Sequence, residues 1–166
     1  MTVTTDKSTE YTQLYITKPM TPLNTTEWHG VVRIAYFTTN QSGTGDATSN
    51  VALVKLPPGR VRVLLPSSHA YVNWVTGSAT LDLGWDAYVG LDGVTVVADP
   101  DGLVDGMDVD TVGIRQLSTG APAAIIALGY AKVLESKDGD VIRTTSQDVA
   151  MVASDDLVGY IAYVMD

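Results

Sequence analysis

Cysteine is absent from all 166 residues, which removes disulfides, thiolate metal sites, cysteine nucleophiles and thiol redox switching together. Glutamate occurs only at Glu10, Glu27 and Glu135, so a pair of carboxylates working as acid and base on a glycoside is a poor prospect. The two histidines, His29 and His69, have no close carboxylate or histidine partner in sequence. They make weak evidence for zinc and weaker evidence for a serine-activating base. Lysine and arginine number ten, scattered without a basic run, which argues against a nucleic-acid surface, because phosphate binding needs concentrated positive charge. The longest apolar stretch, Ala121 to Ala131, is broken by Pro122 and Gly129 and is far too short to span a bilayer. The opening MTVTTDKSTEYTQ lacks the basic start and apolar centre of a signal peptide. A soluble protein made in the cytoplasm, with no membrane partner, is expected.

Valine, alanine, leucine and threonine supply most of what is present, with phenylalanine used once. This is strand-forming material. The net charge is −9, and sixteen of the nineteen acids are aspartate, a residue that favours turns and caps over element interiors. An acidic exterior serves solubility and repels DNA. The length suits one domain with an extension. Residues 1–30 are threonine-rich and carry Pro19 and Pro22, which predicts an extended arm rather than a helix. Its alternate side chains Leu14 and Ile16 are suited to dropping into pockets of a neighbouring subunit.

From Val31 onward, short β-prone runs alternate with Gly, Asp, Asn and Pro clusters, the spacing of a sandwich or barrel. The candidate strands are Val31 to Thr38, Val51 to Leu56, Arg60 to Leu65, His69 to Val75, Thr80 to Tyr88, Val94 to Ala98, Val112 to Leu117, Ala124 to Glu135, Val141 to Thr144, Asp148 to Ala153 and Val158 to Met165. In His69 to Val75 the period of two puts Ala70, Val72 and Trp74 on one face, and His69, Tyr71 and Asn73 on the other. The first face packs, and the second meets solvent or a partner. Asp99 to Gly106 is the one segment expected to be helical, with Asp99 as N-cap and Pro100 at the first helical position. The apolar runs Ala124 to Tyr130 and Ile161 to Met165 exceed what a small sandwich needs to bury. Ile125, Ile126, Tyr130, Ile161 and Tyr163 are therefore expected at a self-association interface, dimeric or trimeric.

Motif tests find no catalytic constellation. Asp99 to Asp110 holds five carboxylates in twelve residues, but Leu103 stands where an EF-hand needs its third ligand and Asp110 where it needs glutamate. A capped turn with solvated acids is the better reading, with a weak Ca²⁺ or Mg²⁺ site as the alternative. No G-x-S-x-G occurs, and Gly43-Thr-Gly-Asp46 lacks the lysine of a phosphate loop. Trp28, Trp74 and Trp85 with eight tyrosines would suit a sugar-binding platform or, more commonly, core and interface packing. No enzyme activity, cofactor or metal is expected.

The stretch LPPGRVRVLLPSSHAYVNWVTGSATLDLGWDAYVGLDG, then ADPDGLVDGMDVDTVG, and finally VAMVASDDLVGYIAYVMD together resemble head-associated decoration (cement) proteins of tailed bacteriophages. The resemblance covers roughly residues 50–166 and rests on strand and turn patterns. It implies an all-β, jelly-roll-like antiparallel β-sandwich over residues 31–166, seated on the capsid exterior and clamping the major capsid protein. A carbohydrate-recognition module of a phage tail is the alternative, and would show an aromatic groove lined by Asn and Asp.

Overall fold

A computed structural model describes residues 31–40, 48–74, 76–150 and 155–166. Of these, 57% are strand and 6% helix, well above the strand share of an average protein and in keeping with the all-β expectation. The strands are β1 (Arg33–Asn40), β2 (Asn50–Lys55), β3 (Gly59–Leu64), β4 (His69–Val72), β5 (Thr80–Trp85), β6 (Tyr88–Val89), β7 (Thr95–Val96), β8 (Asp99–Asp108), β9 (Gly113–Gln116), β10 (Ala131–Ser136), β11 (Val141–Ser146) and β12 (Asp156–Met165), with one short α-helix, α1 (Ala123–Ala127), and a 3-10 turn at Leu65–Ser67.

Two antiparallel sheets pack as a jelly-roll-like sandwich. The larger runs β10-β3-β12-β4-β9, with β1 added on the other side of β12, and the smaller runs β2-β11-β5-β8. The period of two does the sorting. In β3, Val61 and Val63 are buried while Arg60 is exposed, and in β4, Ala70 and Val72 are buried while Tyr71 is exposed. Between the sheets lie Leu65, Leu81, Leu83, Leu103, Leu134, Ile142 and Ile161 with Trp74 and Trp85. Each large aliphatic side chain buried here stabilises the fold by roughly 1.5–3 kcal/mol.

Two expectations are corrected. Asp99 to Gly106 is not helical; it forms most of β8, paired with β5. The Asp-Pro start is a good helix opening, but Gly102 and Gly106 penalise a helix, while Leu103, Val104 and Met107 are buried when the segment is extended. The pairing is irregular: Leu81 faces Met107, Leu83 faces Val104, and Trp85 faces Asp99. β8 therefore carries extra residues, one of them accommodated at Gly106 with φ +68°, and the Asp82 carboxylate accepts the Gly106 N–H at 2.8 Å. This is how a bulge is held in place.

The second correction is Ala124 to Glu135, which is not one strand. The alanine-rich start favours helix, and α1 ends where Gly129 and Tyr130 take positive φ, the Tyr130 N–H donating back to the Ile125 carbonyl. Only then does β10 begin. The expected strand Asp148 to Ala153 is not present over 148–150, and its remainder lies outside the described residues, as do residues 1–30 and most of the Asn40 to Asn50 loop.

The turn between β10 and β11 buries Asp140, 1% exposed. Its carbonyl accepts the Leu56 N–H at 2.7 Å. Burial pushes the carboxyl up from 3.8 to about 6. The nearby Ser136 hydroxyl offsets part of this without reaching hydrogen-bond geometry. Because the folded state raises this pKa, its contribution to stability is complete below about pH 4 and is lost as pH rises through 6. The size is on the order of 3 kcal/mol, from a rise of about two units. Asp86 works the other way, held below the usual range by its hydrogen bonds to Arg143, and its contribution is lost only as pH falls below about 4. Asp140→Asn is therefore expected to be more stable than the parent at pH 7.5 and to lose most of that advantage at pH 4.5, as read by urea denaturation. Equal destabilisation at both pH values would contradict the account.

Candidate functional site

The residues expected at an interface divide on inspection. Ile161 is 0% exposed and Ile125 is buried, and both belong to the core between the sheets. That is a correction, since neither offers surface to a partner. Tyr130 and Tyr163 are half-buried against the same core, and Ile126 is 47% exposed at α1. Leu14 and Ile16 lie outside the described residues.

The acidic segment does not converge. Stretched along β8, its carboxylates are strung out, and among the described residues no group of three or more His, Asp or Glu is placed to hold a metal ion. Burial, and then the neighbouring Asp101 carboxyl, raise Asp99, whereas hydrogen bonds from Thr111 and with Asp108 lower the half-buried Asp110. The aromatic platform fares no better. Trp74 is buried, and Trp85 is 6% exposed, with the Lys132 ammonium 4.6 Å from its ring centre and Gly102 packed against the ring. Neither indole can stack on a sugar. Trp28 lies outside the described residues.

What the fold does assemble is an aromatic face on the outside of the large sheet. Antiparallel register aligns Tyr36 of β1 with Tyr160 of β12, and Tyr160 with His69 of β4. The row beside it runs from Thr38 to Val158, then Tyr71 and Ile114 of β9. Side chains directly opposite across antiparallel strands share a face and touch. The Tyr36 and Tyr160 rings meet edge to face at 5.9 Å, a favoured arrangement, and the His69 ring lies 5.9 Å from Tyr160.

Between the two rows sits Gly159. A Cβ there would overlap the His69 carbonyl oxygen and crowd Ala70 and the Phe37 ring, so glycine is what lets β4 approach β12. The result is a shallow apolar groove of about 280 Å³, with Tyr36, Tyr71, Ile114, Val158 and Tyr160 around it. Tyr36 is 75% exposed and Ile114 71%. No Asn or Asp lines it, unlike the groove a sugar site would need.

The alternation reading had placed His69 and Tyr71 on a face free for solvent or a partner, and there they lie. It could not have added Tyr36 and Tyr160, since cross-strand register is what brings four strands together, and one sequence does not disclose register.

No protein-family model matches the chain, and no curated protein matches it in sequence. Among solved structures, a chain of the capsid of Ralstonia phage GP4 shares the fold at 16% identity with a TM-score of 0.60, covering 82% of this chain and 86% of that one. A chain of the cyanophage Pam1 capsid asymmetric unit shares it at 13% identity with a TM-score of 0.50, again over 82% and 86%. The fold is thus one found in phage capsids.

The placement of the two isoleucines is testable. Ile161→Ala should cost about 2–5 kcal/mol in equilibrium unfolding, the range for emptying a packed core site, while Ile126→Ala should cost less than about 1 kcal/mol. If Ile161→Ala left stability unchanged, its side chain would not be in the core.

Proposed function

We propose that this chain is a structural protein of a tailed-phage head, a decoration (cement) protein that sits on the exterior of the coat lattice and ties neighbouring copies of the major capsid protein together. The single observation that carries the reading is the fold likeness to a phage capsid chain over most of both chains. The two chains match over most of their lengths and are of similar size, which supports reading this chain as a small capsid-associated sandwich.

The charge distribution supports an exterior position. At net −9 the chain would be repelled from packaged DNA. Its described arginines are also largely engaged: Arg60 and Arg62 with Asp166, Arg143 with Asp86, and Arg115 with backbone carbonyls. The role is architectural, with no chemistry on a substrate, and the chain self-associates as a dimer or trimer. Residues 1–30 act as an arm that lies in a groove or along a sheet edge of a neighbour. Ordering such an arm costs conformational entropy, which many symmetry-related contacts on one particle can offset through avidity.

Co-sedimentation with capsids of the encoding phage, stripped of this chain, tests the reading. Full-length protein should bind saturably with a fixed ratio to coat subunits, and a shortened chain beginning at His29 should bind at least tenfold more weakly, the loss of about 1.4 kcal/mol or more. Absence of binding by the full-length chain would remove the capsid role; equal binding by both would make the arm a passive tail.

A further inference from the structure

We propose that the outer edge of β1 and the apolar face beside it form the seam on which a second copy of this chain docks, by antiparallel pairing of β1 with β1 about a two-fold axis. The inference names a surface for the self-association proposed above, and it can fail while capsid binding holds.

Exposed strand edges invite pairing, and proteins blunt them with charge, proline, bulges, short length or a covering segment. The other edges of the two sheets carry such devices. β8 has Pro100, four aspartates and its bulges. β10 carries Lys132 and Glu135, and its end is bridged by Gly90. β9 is four residues long and includes Arg115, and β2 ends in Lys55. Apart from β2, which approaches it, β1 has none of these among the described residues. It is eight residues, RIAYFTTN, with a single charge at Arg33, and among the described residues it pairs on one side only, with β12. The residues leading into it are also apolar and exposed, Val31 and Val32 with Ile34 and Tyr36.

Charge selects the occupant. Two chains of net −9 repel each other across most approaches, so copies meet most favourably where carboxylates are absent. No acid occurs in β1 or among the residues lining the groove, and the charge at Arg33 is positive. Period-two geometry then limits the register. A two-fold axis normal to the sheet keeps both outer faces on the same side only if residues of the same parity oppose each other. Centring the axis on Ile34 meets that condition and sets Val32 opposite the second copy's Tyr36, Ile34 opposite Ile34, and Tyr36 opposite Val32. Each of these three outward pairs is apolar, and the tyrosine rows of the two copies become one surface.

The absence of cysteine makes the test clean. Ile34→Cys places one thiol per chain on the axis, where opposed Cα atoms about 4.5–5.5 Å apart fall within disulfide range. Full-length Ile34→Cys under mild oxidation should give a covalent dimer as its main product, while Ile114→Cys, more exposed but away from the axis, should not. Ile34→Lys should weaken dimerisation in analytical ultracentrifugation by about tenfold or more, through two like charges brought together, with an unchanged far-ultraviolet spectrum showing that the fold survives. A parent chain that stays monomeric at high micromolar concentration, or cross-linking no faster at 34 than at 114, overturns the proposal and assigns the edge to residues 1–30 or to the coat.

Discussion

Three strands depend on β12 for their backbone hydrogen bonds. Along one side it pairs with all of β1; along the other it pairs first with β4, through Leu157 to Tyr160, and then with β3, through Tyr163 to Met165. A strand used this fully must satisfy two neighbours' geometry at once, which explains Gly159, whose missing Cβ gives β4 room. It also explains why Ile161 is completely buried. The same junction aligns Tyr36, Tyr160 and His69 across three strands, so the aromatic face is a by-product of the pairing that holds the large sheet together.

The fold class was legible because its cues are local. Val61 and Val63 alternate with Arg60 and Arg62, and Gly or Asp clusters punctuate the runs, so strands 3, 4, 5 and 11 could be read nearly in place. The misreadings have physical causes. Asp99-Pro100 is a sound helix opening, but partner β5 and a buried Leu103-Val104 pair outweigh a local cap. Ala123 to Ala127 is helical by propensity within a run whose overall hydrophobicity looked like strand. The interface isoleucines were a harder case, since an apolar run does not reveal whether its burial is within the chain or between chains. Ile125 and Ile161 are core, while nothing local marks Tyr36 and Ile114 as neighbours on the exposed face, because register is set by tertiary pairing.

Acids are unevenly spread over the described surface. Aspartates gather along β8 and at turns such as those of Asp92, Asp138 and Asp140, while the four-strand aromatic groove carries none. Acids along β8 and at turns, beside a groove that has none, would suit the proposed role of meeting other subunits through one face. The buried Asp140 carboxyl is the exception to this economy, a charge desolvated inside the fold at a cost that grows with pH.

Hydrogen exchange compared between free protein and protein mixed with capsids tests the proposed assembly most directly, because it reports each strand edge separately. The account predicts that amides of residues 33–40 exchange more slowly on assembly, while those of the acidic strand 99–108 keep their free-state rates. Unchanged exchange along 33–40 together with new protection at 99–108 would contradict it.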